Sequence, residues 1–320
     1  MNYKIHFSPG LIFLTLLCFT ILSCQKDDDD GDQFNGNVNL EITDGPSDDA
    51  NVKGVFVTVA DVKIDGKSWE GFAGKTTFDL AAYHDGQVKS LGNGDLETGS
   101  YSNITLVLDN ERDANGNSPG CYVLTTGDEK KSLSSDQTTE ITVSKNFQSQ
   151  SDRTNNLVVD FDLRKAITYE NSTMEDYRFV TQSELQNSVR VVQKGESGTV
   201  KGKCTDAVTS SDKIVVYAYQ KGSFNRTAEM QGQGASEIYF KNAVSSDAVD
   251  ENGNYRISFL ESGDYELHFV SYKDTNNDGS LEITGSLLIN LIGGADLNTV
   301  SITSGATLTL DVDVTGLLPL

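Results

Sequence analysis

Cys24 is the residue best placed for chemistry, because it stands directly behind Ser23 at the end of the apolar run over residues 11–22. Its thiol is the acceptor that lipid transfer at a signal boundary requires. A second run sets Asp274, Asn276, Asp278, Ser280 and Glu282 around Gly279, with oxygen groups at alternate positions. Hard cations prefer oxygen ligands, so calcium is the cofactor expected here, with Ser280 supplying its carbonyl. The twelfth position of that loop is Gly285, which removes the bidentate carboxylate that closes a calcium loop and keeps a polar β-turn as the competing reading. Affinity then belongs at the weak extracellular end, on the order of 0.1–1 mM.

Little else has catalytic spacing. The histidines are His6, His84 and His268, with His6 inside the leading segment, too few for a zinc constellation. Gly116-Asn117-Ser118-Pro119-Gly120 has the Gly-x-Ser-x-Gly spacing but falls in an Asn-, Asp- and Gly-rich loop over residues 109–120 rather than at a strand-to-helix elbow, and no phosphate loop is present. Cys18 lies in the leader, while Cys121 and Cys204 fall in different proposed domains and read as two small buried hydrophobes. Asp160 and Asp162 share one strand face opposite Val159 and Phe161, which reads as a polar strand edge or a cap for a helix from Arg164.

The element that positions Cys24 is an address. Lys4 supplies a positive start, and an apolar run of about a dozen residues falls short of the ~20 that a membrane helix needs, so cleavage is expected. Ile21-Leu22-Ser23-Cys24 resembles the lipobox of bacterial lipoproteins, which implies that Cys24 is lipidated and becomes the mature N-terminus. An ordinary signal with an incidental Cys is the alternative. Gln25, Lys26, Asp27, Asp28, Asp29 and Asp30 resemble the lipoprotein export signal of Bacteroidota, implying transfer to the outer face of the outer membrane. Without export, the same charges make an extended acidic tether.

The chain has 320 residues and a formal net charge of -22, so its field repels nucleic acid and anionic head groups. Length beyond the leader suits two domains of ordinary size. The expected division is a signal peptide over 1–23, a tether over 24–35, a first domain over 36–194 and a second over 195–320.

Short alternating runs dominate the first domain. Val38, Leu40 and Ile42 alternate with polar residues; Val55, Val57 and Val59 do the same, then the phase shifts to Val62 and Ile64, which predicts a bulge at Ala60-Asp61. Ile104, Leu106 and Leu108 share a strand face, and residues 81–91 are the best helical candidate, weakened by Gly86. In the second domain Val215, Tyr217 and Tyr219 share a face, residues 222–234 read as a long polar loop, and residues 252–259 and 263–269 read as a hairpin turning at Glu261-Ser262. Several short strands with turn clusters between them predict an all-β protein, two β-sandwiches in tandem.

Leu40-Glu41-Ile42-Thr43-Asp44-Gly45-Pro46, Val55-Phe56-Val57-Thr58-Val59, Gly99-Ser100-Tyr101-Ser102-Asn103-Ile104 and Val159-Asp160-Phe161-Asp162-Leu163 occur in the order seen in domain of unknown function 4382. The resemblance covers roughly residues 36–194 and implies bacterial lipoproteins, with no activity attached. Gly198-Thr199-Val200-Lys201-Gly202, together with Gly253-x-Tyr255-x-Ile257 and Gly263-x-Tyr265-x-Leu267, is similar to carboxypeptidase regulatory-like, transthyretin-type domains. That similarity implies a seven-stranded Greek-key sandwich in which the glycines serve tight turns.

The expected function is therefore that of a non-catalytic, lipid-anchored protein facing the cell exterior, serving adhesion, matrix assembly or ligand capture. The alternative is a glycan-binding accessory subunit of a nutrient-uptake or secretion system, using exposed aromatics such as Trp69, Tyr217, Tyr239 or Tyr272. Partners are then the outer membrane through the lipid, and a glycan or protein ligand. An enzyme is the third class, since a glycosidase needs only two carboxylates and 47 acidic residues are present.

Overall fold

Asn35–Gly45 and Thr154–Asp162 run side by side in parallel, with Leu40 against Leu157 and Ile42 against Val159. The computed structural model describes residues 1, 35–45, 49, 51–83, 85–133, 138–169, 176–276, 281–292 and 296–320. Cys24, the acidic run over residues 25–30, His84, Asp278 and Ser280 lie outside the described residues. The parallel pair is flanked by Lys89–Glu97 and Val189–Gln193 to complete a four-stranded sheet. Facing it is a sheet in the order Lys130–Ser132, Tyr122–Thr125, Val52–Ile64, Gly99–Asp109, Thr138–Ser149, with Lys67–Ser68 and Thr76–Asp79 also paired to Val52–Ile64. The alternating apolar residues meet between these layers: Val38, Leu40 and Ile42 from one side, and Val55, Val57, Ile104 and Leu106 from the other. The all-β class is as the alternation predicts.

The bulge is also present, since the register between Val52–Ile64 and Gly99–Asp109 shifts between Val59 and Asp61. One extra residue lets Val59 and Val62 both face inward, and both are fully buried. Residues 81–91 differ from expectation. A 3-10 turn covers only Leu80–Ala82, and Lys89–Glu97 is a strand antiparallel to Asn35–Gly45. Gly86 at φ +76° ends any helical course, and the edge of Asn35–Gly45 supplies the backbone partners that a strand needs.

In residues 197–320 the strand path is Ser245–Ala248, Lys213–Gln220, Gly263–Lys273, Glu282–Leu291, Val312–Pro319, Ser197–Thr205, Asn254–Glu261. Two short strands, Val300–Ile302 and Thr307–Thr309, pair with Gly263–Lys273 and Ser197–Thr205 and raise the number above the seven expected. Ser197–Thr205 links the layers: its start pairs with Asn254–Glu261, and its end, Cys204 and Thr205, pairs with Val312 and Asp313. A second core, with Val200, Val216, Tyr255, Ile257, Phe269 and Val312, fills the space between. Residues 34–320 nonetheless group into one compact unit.

Asn254–Glu261 and Gly263–Lys273 are consecutive but do not pair, which corrects the expected hairpin. The first pairs with Ser197–Thr205 and the second with Lys213–Gln220, so the turn at Ser262 carries the chain from one layer to the other. Tyr265 Oη donates to the Glu261 carbonyl at 2.9 Å, pinning this crossing. Tyr101 Oη donates to the Glu97 carbonyl at 2.9 Å, where the chain crosses between layers of the first sandwich. Both are tyrosine corners in the sense of a ring bonding back across a sheet-to-sheet turn.

Asp247 ties the open edge of the second sandwich, its Oδ2 accepting the Arg256 N–H at 2.6 Å across the layers. Burial pushes its carboxyl up to about 7, against the Arg256 hydrogen bond and with help from Asp85. The neutral acid is therefore favoured by folding, so this group's contribution is complete below about pH 4 and is lost as pH rises through about 7. Asp247→Asn keeps an oxygen acceptor and removes the ionisation. Its melting temperature should pull ahead of the parent's as pH rises from 4 to 8, whereas parallel melting curves across that range would refute the assignment.

Candidate functional site

Charged side chains concentrate on the face of Thr154–Asp162 that turns away from its own core. Leu157, Val159 and Phe161 fill the first core, whereas Val158 joins Val192 and Phe259 in a small cluster shared with residues 197–320. Asp160 and Asp162 alternate with the core residues, and both are buried. They are neither a polar strand edge nor a helix cap, for Asp162 makes no capping hydrogen bond to the short Leu163–Ala166 helix. The second sandwich covers them.

Asp160 Oδ2 accepts from Arg190 Nε at 2.8 Å and Nη2 at 2.5 Å, and Arg190 Nη1 reaches the Phe259 carbonyl at 2.9 Å. Asp162 Oδ2 lies 2.8 Å from Arg164 Nη2 and 2.9 Å from Lys165 Nζ. Arg164 Nη1 donates to the Tyr239 and Phe240 carbonyls, and Lys165 Nζ to the Ala243 carbonyl at 2.8 Å. The Arg164 guanidinium also lies 5.2 Å from the Tyr217 ring centroid. Each basic group thus joins a carboxylate of the first sandwich to backbone oxygen of the second.

The electrostatics follow from this packing. Burial opposes the charge on Asp162, but Arg164 and Lys165 outweigh it and hold the carboxyl below its usual range. Burial, then Asp160 and Asp162, raise the pKa of Asp44 well above the ordinary value. Glu184 completes the seam by accepting from Ser236 Oγ at 2.6 Å and the Ala235 N–H at 2.9 Å. Although burial disfavours its charge, the Ser236 and Thr181 hydroxyls bring its pKa down to about 2.

Residues 222–234 are no free loop. Asn225 caps the short Arg226–Glu229 helix, whose Glu229 accepts from Tyr219 Oη at 2.9 Å. With Met230 and Phe240 the segment covers Val215, Tyr217 and Tyr219. Trp69, Tyr217 and Tyr272 are buried, so only Tyr239 of the four aromatic candidates is exposed, at 42%. His268 faces out of the core but is covered by the Phe224 ring at 3.6 Å between centroids. Burial lowers its pKa, against Glu266. Cys121 and Cys204 are free and buried, and burial pushes both thiols up to about 12, far from the thiolate that chemistry requires.

In the acidic loop, Glu282 Oε2 accepts from the Thr275 N–H and hydroxyl, each at 2.8 Å, and the Asp274 N–H donates to Asp212. Among the described residues, no three His, Cys, Asp or Glu groups are close enough to hold a metal.

Beside the seam opens a cleft of about 690 Å³, lined from the first sandwich by residues 142–146, 186–187 and 189–192, and from the second by Gln220, Val244, Glu261 and Tyr265. Lys145 Nζ meets Glu261 Oε1 across it at 2.7 Å. The cleft owes its two-sided wall to tertiary packing; no local motif in the sequence marks it.

Residues 35–179 match the family described as "Domain of unknown function (DUF4382)". No curated protein matches. Among solved structures, the Bacillus anthracis TIE protein is 11% identical over 88% of this chain, at a TM-score of 0.20. This chain spans 34% of that protein's length. GBS52, the minor pilin of Streptococcus agalactiae, is 11% identical over 88% of this chain and 98% of its own, also at 0.20. BcpA, the major pilin subunit of Bacillus cereus, is 11% identical over 88% of this chain and 71% of its own, at 0.20. Likeness at that level carries no argument about what this chain does.

Proposed function

We propose that the chain is a non-catalytic, lipid-anchored protein on the outer face of the outer membrane, where its two sandwiches serve as a rigid body for capturing a ligand or a neighbouring surface. The observation that carries this is the seam. The clustered groups that could act as acid, base or nucleophile, Asp160, Asp162, Arg164, Lys165 and Arg190, are paired with one another and with backbone carbonyls. A cluster so engaged gives rigidity in place of turnover. Among the described residues, no helix is long and apolar enough to cross a membrane, and in this reading the lipid on Cys24 provides attachment.

Cells grown with a fatty-acid analogue test the anchor and the address together. Cys24→Ala should abolish labelling and leave an uncleaved precursor or a soluble product. Alanine at residues 26–30 should preserve the label while shielding the protein from protease added to intact cells. A labelled Cys24→Ala protein would overturn the anchor; unchanged protease access in the second variant would reduce the acidic run to a tether.

A further inference from the structure

We infer that the cleft between the sandwiches is a binding site for a neutral, hydroxyl-rich oligosaccharide. This deepens the reading of the chain as a surface binding protein and rests on it. The volume of about 690 Å³ falls within the range of small-molecule sites, and the walls come from both sandwiches. Those walls are mostly strand, joined by the end of the Gln182–Asn187 helix, and the buried pairs of the seam hold them in place, so little ordering cost remains for binding.

Charge narrows the ligand. Lys145 is neutralised by Glu261, and Arg190 is committed to Asp160 and the Phe259 carbonyl. No unpaired cation is offered to an anion, and the chain's net charge of -22 repels one at long range. The uncharged polar side chains along the wall are Thr142, Ser144, Asn146, Gln186, Asn187 and Gln220, beside Tyr265 and five valines. A primary amide presents a carbonyl acceptor and two N–H donors, and a sugar hydroxyl both donates and accepts, so this set is complementary to a polyol.

An extended peptide fits less well. Thr138–Ser149 is the end strand of its sheet and could in principle receive another strand. Its free edge is interrupted, however, by Gln182 Nε2 bonding to the Glu140 carbonyl at 2.5 Å and by the Lys145–Glu261 bridge. Only residues 141–144 lie between those two contacts, at roughly 3.3 Å each, too short a run for a register to be set by backbone pairing.

Calorimetry on the purified full-length chain would test the site with maltohexaose, cellohexaose and xylohexaose as neutral probes, hexagalacturonate as an acidic one, and an extended Ala-Thr peptide. At least one neutral hexasaccharide should bind with a Kd on the order of 0.1 mM. Asn146→Ala combined with Gln186→Ala should weaken it at least about tenfold with the melting temperature unchanged, since neither side chain is buried. Binding by none of the neutral probes, preference for the galacturonate or the peptide, or unaltered affinity in the double variant would each overturn the inference. Chromatography of the recovered sugar separates the two readings: shortened products would defeat the non-catalytic proposal while leaving the cleft's preference intact.

Discussion

Asp162→Ala should destabilise residues 34–320 by about 3–5 kcal/mol, the cost of breaking a buried ion pair from one side. The carboxylate lies between Arg164 Nη2 at 2.8 Å and Lys165 Nζ at 2.9 Å, so its removal leaves two cations facing each other in a buried seam. The Tyr239, Phe240 and Ala243 carbonyls to which they also donate carry partial charge only. At about 2–4 °C per kcal/mol for domains of 150–250 residues, the melting point should fall by roughly 10 °C. Because the lost contacts span both sandwiches, the urea transition of the parent should be single, and the variant's midpoint should fall as one step. Replacing Arg164 and Lys165 by Met in the same chain should recover part of the loss, since the penalty lies in the uncompensated charges. A shift below about 1 kcal/mol in the single variant would show that the seam holds water or slack enough to solvate them.

Gly202→Ala should cost about 3 kcal/mol, at the upper end for overpacking. A Cβ there would sit 1.8 Å from the Leu310 carbonyl oxygen and 3.1 Å from the Tyr255 ring. Neither neighbour can yield freely: Leu310 donates its N–H to the Lys201 carbonyl, and its oxygen accepts from Tyr255 Oη at 2.6 Å. Gly202 thus makes room for a crossing backbone inside the Ser197–Thr205 strand, where a tight turn was expected. Alanine also restricts the unfolded chain, worth about 0.4–1 kcal/mol of stabilisation, which is too little to offset the clash. Gly316→Ala is the control, since its nearest contact is Leu288 Cδ1 at an ordinary 3.5 Å. Urea midpoints should drop for Gly202→Ala and hold or rise for Gly316→Ala; equal midpoints would mean that the strands part at no cost.

The first core was legible because a strand with one face in a core repeats every two residues. Val55, Val57 and Val59 followed by Val62 and Ile64 stated both the strand and its bulge, and the register shift lies where the phase breaks. Lys89–Glu97 carries little strand signal because Gly92 and Gly94 have low strand propensity; they are there because a side chain at either would strike Gly71. The Tyr265 corner has a counterpart in the sequence. Glu97-Thr98-Gly99-Ser100-Tyr101 and Glu261-Ser262-Gly263-Asp264-Tyr265 share one spacing, and the structure gives both the same hydroxyl-to-carbonyl bond.

Sequence by itself determined the all-β class, most strand positions, the buried fate of both cysteines and the strongly acidic balance, because these follow from composition and short-range periodicity. Only the tertiary structure decided which strands pair across the Ser262 turn, since a two-residue spacing serves a hairpin and a layer crossing equally well. It also decided the fate of Asp160 and Asp162. Alternation assigns them a face but is silent about what covers that face, and here the cover is the carbonyl-rich segment near residue 240, some 80 positions further along the chain.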